Sequence, residues 1–152
     1  MAVDNIDLAL LDLLSRDGRA TFSELADHVG LSGPSTADRV RRLEERGAIR
    51  GYAALIDPDA LGLGMTAFVA VTLASADARS GFLNAVATWP EVVECHHVAG
   101  DDDYLLKVFV DGTRGLEAFV TDQLKALPGI SRTRTTVVLS TPLTRPLSPG
   151  PG

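Results

Sequence analysis

Apolar residues recur three and four positions apart in the first third of the chain, then change to short runs and alternation. Ile6, Leu10, Leu13 and Leu14 lie on one face of a helix, with Asp4 placed to cap its start and Gly18 suited to its end. Thr21 and Glu24 have the spacing of a capping box, and Leu25, Ala26 and Val29 follow as the apolar positions of a second helix that stops at Gly30. Ser32 can cap a third, GPSTADRVRRLEERG, which tolerates Pro34 in its first turn and ends at Gly47. Three short helices are therefore expected within the first fifty residues.

Only Gly30, Leu31 and Ser32 separate the second helix from the third, the spacing of a helix-turn-helix. With Val40 at the centre of the buried side, a helical wheel leans Thr36, Ala37 and Leu43 inward and points Ser35, Asp38, Arg39, Arg42 and Arg46 outward. Short hydrogen-bonding side chains at the start and arginines further along match a helix that enters the major groove. We expect Ser32, Ser35, Thr36, Arg39, Arg42, Arg46 and Arg50 to contact double-stranded DNA, although Thr36 leans inward on the wheel. A solvated arginine face on an interaction helix is the bland alternative.

IRGYAALI, Ile49 to Ile56, is rich in β formers and reads as a small wing or as a strand leading to the next domain. DPDALGLG then marks a boundary. Beyond it, MTAFVAVTLA is a strand, RSGFLNAVATWP a helix halted by Pro90, EVVECHHVAG a strand, YLLKVFV a strand, TRGLEAFVTDQLKALPG a helix and ISRTRTTVVLS a strand. The short connection from Ala99 to Asp103 makes the middle pair a hairpin. The order β-α-β-β-α-β is the ferredoxin-like unit, so the fold class is α+β: an N-terminal, winged helix-turn-helix domain plus a C-terminal ferredoxin-like domain. The expected boundaries are residues 1–50 for the DNA-binding head, 51–64 for a β-strand linker, 65–141 for the ferredoxin-like domain, and 142–152 for a disordered proline-rich tail. A helix-free sheet face showing residues such as Ala70, Val108 or Val138 would be covered by a second copy, giving at least a dimer.

Composition changes this picture little. The 152 residues are 45% hydrophobic and 22% charged, with a formal net charge of -6. Between Ser32 and Tyr52, however, Arg39, Arg41, Arg42, Arg46 and Arg50 outnumber Asp38, Glu44 and Glu45, a basic segment in an acidic chain. No apolar run is long enough to span a membrane, and the first residues lack a secretion pattern. The lone Cys95 suits a reducing compartment. Those features predict a cytoplasmic protein without membrane contact. An enzyme lacks its parts: His28 falls in the second helix, and no nucleophile with a base or glycine-rich phosphate loop appears.

The stretches DGRATFSELADHVGLS, RVRRLEERGAIRGYAALIDPDALG, ECHHVAGDDDYLLKVFV and LPGISRTRTTVVLS, in that order, closely resemble the Lrp/AsnC family, the feast/famine transcription regulators of bacteria and archaea. The resemblance runs from about Ile6 to Ser140. It implies sequence-specific, nucleoid-associated DNA binding and homodimers that assemble to tetramers or octamers. It also implies a small amino-acid effector, with no cofactor, bound near Gly100, Asp101, Asp103 and Tyr104, with Thr133, Thr135 and Thr136 on the nearby last strand. Asp102 stands where family members often place an aromatic, and His97 where an apolar residue is common.

Physically, an acidic turn can accept the three donors of an ammonium while backbone N-H groups meet the carboxylate. Without the resemblance, DDD is an ordinary solvated turn. Three adjacent carboxylates do not converge as hard-metal ligands, and alternation puts Cys95 and His97 on one strand face and His96 on the other, short of a zinc set. We therefore expect no metal, a buried thiol and two hydrogen-bonded imidazoles. Two other functions stay open on sequence alone: an effector-independent architectural DNA-binding protein, and a metabolite- or metal-sensing module without a specific DNA role.

Overall fold

The computed structural model describes residues 3–149 and divides into two compact units, 1–55 with 143–152 and 56–142. In the first, α1 (Asn5–Arg16), α2 (Phe22–Val29) and α3 (Gly33–Glu45) enclose Leu10, Leu25, Val40 and Leu43. Each helix begins as its sequence dictates. The Asp4 carboxylate accepts from Asp7 N at 2.8 Å, Thr21 and Glu24 close a capping box, and Ser32 Oγ accepts from Ser35 N at 3.3 Å. Gly30, at φ 69°, turns the chain between α2 and α3 in the left-handed region that suits glycine.

Neither a wing nor a linker strand forms: residues 51–57 carry no regular structure, and Pro58–Leu61 is a 3-10 turn. Ile49 packs against the first core, Tyr52 donates from its hydroxyl to Glu44 Oε1 at 2.9 Å, and Leu55 and Ile56 stay exposed. High β propensity cannot make a strand without a neighbouring ladder to take its N-H and C=O groups. Residues 143–149, expected as part of a disordered tail, carry no helix or strand and are grouped with the first unit, where Ser148 hydrogen-bonds Asp12. The rest of that expectation, residues 150–152, lies outside the described residues.

The second unit contains β1 (Met65–Leu73), α4 (Ala78–Val86), β2 (Val92–His97), β3 (Tyr104–Val110), α5 (Thr113–Glu117) continuing as a π-helical segment (Ala118–Leu124), and β4 (Ile130–Val137). The sheet is antiparallel in the order β2-β3-β1-β4, the expected β-α-β-β-α-β arrangement. Ala67, Val69 and Val71 of β1 and Tyr104, Leu106, Val108 and Val110 of β3 form one core with Phe82 and Val86 of α4 and with Phe119 and Leu124.

Alternation then assigns the other face. Phe68, Ala70 and Thr72 face outward with Leu105, Lys107 and Phe109. Val108 belongs to the helix side, where it is fully buried, which corrects its expected place on the free face. Cys95 is exposed instead of buried, because β2 is an edge strand and only one side of it is paired.

Gly129, at φ 84°, connects the π-helical segment to β4, and a Cβ there would lie 2.4 Å from Ala78 Cβ. Gly129→Ala combines that overlap with an unfavourable backbone conformation. It should destabilise the protein by about 1–3 kcal/mol, read as a lower denaturation midpoint.

Candidate DNA-reading helix and effector turn

α3 presents its polar side outward, but its arginines differ in what they are free to do. Arg39 Nη1 donates to Asp4 Oδ2 at 2.7 Å and to Asp7 Oδ1 at 2.8 Å, and its side chain is 30% exposed. These bonds raise the Arg39 pKa and tie α3 to the start of α1. Arg39 is consequently a brace of the head. Arg42, 53% exposed, pairs through Nη2 with Asp38 Oδ2 at 2.6 Å and keeps further donors open. Arg41 bridges Asp38 and Glu45, and its hydrogen bond, ahead of the charge of Arg42, holds the Asp38 carboxyl below its usual range.

Ser35 lies exposed one turn before Arg39, and Ser32 caps the helix. Arg46 and Arg50 are exposed and form no ion pair among the described residues. Thr36 is withdrawn from the expected DNA contacts. It is fully buried, and its hydroxyl donates to Ser32 O at 3.0 Å, so the inward lean on the wheel decides its role. A depression of about 260 Å³ on this side is lined by Ser35, Asp38, Arg39, Arg42 and Arg46 together with Asp4 and Asp7, so it mixes arginines with carboxylates.

The turn between β2 and β3 treats its three aspartates differently. Asp102, 8% exposed, accepts from Thr72 Oγ1 at 3.0 Å, from Arg132 Nη2 at 3.2 Å and from Arg134 Nη2 at 2.6 Å. Its pKa is lowered, first by the Thr72 hydrogen bond and then by the two arginines. Arg132 also donates to Asp101 O at 3.1 Å. Asp103 Oδ2 accepts from Leu73 N at 2.7 Å, and Asp103 N donates to Val71 O at 2.9 Å, so this residue stitches the turn to β1. The Asp101 side chain is exposed, and its carboxylate makes no hydrogen bond or ion pair among the described residues. Gly100, at φ 144°, gives the turn its sharp backbone.

Four expected effector contacts need correction or division. Tyr104 points into the core, 2% exposed, with its ring 4.8 Å from Phe82 and 5.1 Å from His97 between centroids. A ligand at the turn would meet its backbone and not its phenol. Thr133 and Thr135 pair with Val71 and Val69 and share the helix side of β4, whereas Thr136 pairs with Phe68 and faces the free side. One ligand therefore cannot meet the side chains of all three threonines on one strand face.

Sequence reasoning left Asp102 without a role and did not single out Arg132 and Arg134. Their signal was present as arginines two apart in a strand, hence on one face, near an acidic turn. Among the described residues there is no cluster of three or more His, Cys, Asp or Glu suited to a metal, and no helix is long and apolar enough to cross a membrane.

Comparison with known proteins agrees with both halves. Residues 3–44 match the AsnC-type helix-turn-helix domain, and residues 66–147 match the Lrp/AsnC ligand binding domain. The leucine-responsive regulatory proteins of Escherichia coli strain K12 and Klebsiella pneumoniae are each 42% identical over 139 residues, covering 90% of this chain and 85% of theirs. A Neisseria meningitidis transcriptional regulator solved with L-methionine superposes with a TM-score of 0.91 at 34% identity, covering 95% of this chain and 94% of that one. The feast or famine regulatory protein of M. tuberculosis, complexed with L-methionine, gives 0.88 at 40% identity, covering 94% and 96%.

A helix-turn-helix head joined to a ferredoxin-like ligand-binding domain defines a DNA-binding transcriptional regulator. Its relatives are regulators and not enzymes. The chain belongs to the Lrp/AsnC family.

Proposed function

We propose that this regulator reads its operator with Ser35, Arg42 and Arg46, aided by Ser32 and Arg50 at phosphates, and that it responds to a free amino acid held at the turn Gly100–Asp103. The DNA-reading head lies within residues 1–50, residues 51–64 serve as the hinge, and residues 65–141 bind effector and assemble the oligomer. The observation that carries the effector reading is the division of labour in the turn. Asp102 and Asp103 are consumed by Arg132, Arg134 and the Leu73 N-H, which leaves Asp101 as the carboxylate open to an ammonium group. The methionine complexes of two relatives support an amino-acid ligand of this size.

A second copy covers the free sheet face, where Phe68, Leu105 and Phe109 surround Lys107, and such dimers build tetramers or octamers. An effector that binds one packing of dimers better than another shifts the spacing of paired heads and with it the operators that fit. The protein works on nucleoid DNA in the cytoplasm. A thermal-shift screen of the common amino acids, methionine and leucine included, should reveal a concentration-dependent rise in Tm. Asp101→Asn should remove that rise while leaving the unliganded Tm unchanged. An identical titration in the variant would return Asp101 to solvent, and no response to any amino acid would favour an effector-independent DNA-binding protein.

A further inference from the structure

On the outward side of α3 the side chain most at odds with a polyanion is Asp38. A carboxylate near phosphate is repelled, so an aspartate on a groove-reading face needs a compensating partner, and in the groove the partner that matches it is a base donor. Asp38 is also held in place. Arg41, one turn on, and Arg42, at the i+4 position, grip separate oxygens of its carboxylate, and its side chain remains 38% exposed beside Ser35 and Arg42 in the same depression. In the major groove, guanine offers only the acceptors O6 and N7, thymine offers O4, and adenine sets N7 beside its amino group; cytosine alone presents N4 donors without an adjacent acceptor. The Arg42 guanidinium next to the carboxylate has the complementary preference, guanine O6 and N7.

We propose that Asp38 and Arg42 together read one C·G base pair in each half-site, Asp38 accepting from cytosine N4 and Arg42 donating to the paired guanine. The inference rests on α3 being the groove-reading helix. Asp38 thus sets specificity at that position and subtracts from affinity elsewhere, since it repels any sequence lacking the cytosine. Arg41, turned toward Glu45 as well, keeps the carboxylate aimed and needs no base of its own.

The test is selection of binding sites from randomised duplex DNA with the full-length protein, followed by measured affinities for all four base pairs at each selected position. Wild type should select one C·G pair per half-site, with about tenfold loss for replacement of that pair. Asp38→Asn should move the preference there to A·T, because an amide offers adenine N6 and N7 a matched acceptor and donor. Asp38→Ala should accept all four pairs. Both variants should bind unrelated DNA at least as tightly as wild type. Unchanged base preference in both, with Arg42→Ala still weakening binding, would overturn the role of Asp38 while leaving α3 on the DNA; unchanged preference and affinity in all three would remove α3 from the groove altogether.

Discussion

Arg42→Ala is expected to weaken specific operator binding by about 1–3 kcal/mol and to leave the melting temperature essentially unchanged. The Arg42 side chain is 53% exposed, its ion-pair partner among the described residues is Asp38, and it is not part of the helical core. Removing it deletes a donor from the proposed reading face and leaves Asp38 with Arg41 as its remaining positive partner, so less of its charge is offset near phosphates and the two losses act in the same direction. Arg39→Ala should behave differently. Its guanidinium joins α3 to Asp4 and to Asp7, itself only 7% exposed, so its loss strands a buried carboxylate and loosens α1 against α3. The expected result is a Tm lowered by several degrees, with DNA binding restored on cooling. Arg50→Ala, in turn, should weaken all sequences alike and reduce the salt dependence of binding by about one counterion. Operator titrations at two salt concentrations, read beside thermal melts, separate the three behaviours. Equal loss of affinity with unchanged Tm for Arg39 and Arg42 would show that Arg39 reads DNA and is not a brace.

Asp102→Asn is expected to lower the Tm of the ferredoxin-like unit by roughly 5 °C at neutral pH. Asparagine can still accept from Thr72, but it removes the charge that keeps Arg132 and Arg134, neighbours on one strand face, from repelling one another. The turn that carries Asp101 would loosen with it, because Arg132 reaches both Asp102 and the Asp101 carbonyl. A blunted amino-acid response should therefore accompany the lower Tm. The pH dependence has a definite sign. Folding lowers the Asp102 pKa from 3.8, so the ionised form is favoured in the native state and its contribution is complete above about that pH. The contribution disappears as pH falls through the lower native value. Denaturant titrations of wild type and Asp102→Asn should differ at pH 7 and converge on acidification below 3.8; a constant gap across that range would assign the effect to shape and not to charge.

The two halves were legible from the sequence to different depths. Caps at Asp4, Thr21 and Ser32, the glycine corner at Gly30 and the apolar spacing of α1 to α3 are local signals, and local hydrogen bonding fulfils each of them. The order of strands and helices was readable for the same reason. The segment 49–56 misled because β propensity records what a side chain would do in a sheet and says nothing of whether a neighbouring strand is there. Val108 was assigned to the wrong face because β3 alternates YLLKVFV with apolar residues on both sides, and only its register opposite Ala67 distinguishes them.

What the sequence by itself determined was the fold class, the family and the place of two charged stretches: a basic face on α3 and an acidic turn before β3. Periodicity, capping and turn chemistry act within a few residues, and one chain spells them out. What only the tertiary structure decided was which charged groups are spent and which are open. Arg39 meets Asp4 and Asp7 across more than thirty residues, and Asp102 meets Arg134 across a similar distance. No local rule anticipates such pairs, because they exist only where packed elements bring opposite charges within hydrogen-bond reach. By occupying Arg39, Asp102 and Asp103, the fold leaves Asp38 with Arg42 on the head and Asp101 on the turn as the groups open for the proposed contacts with DNA and effector.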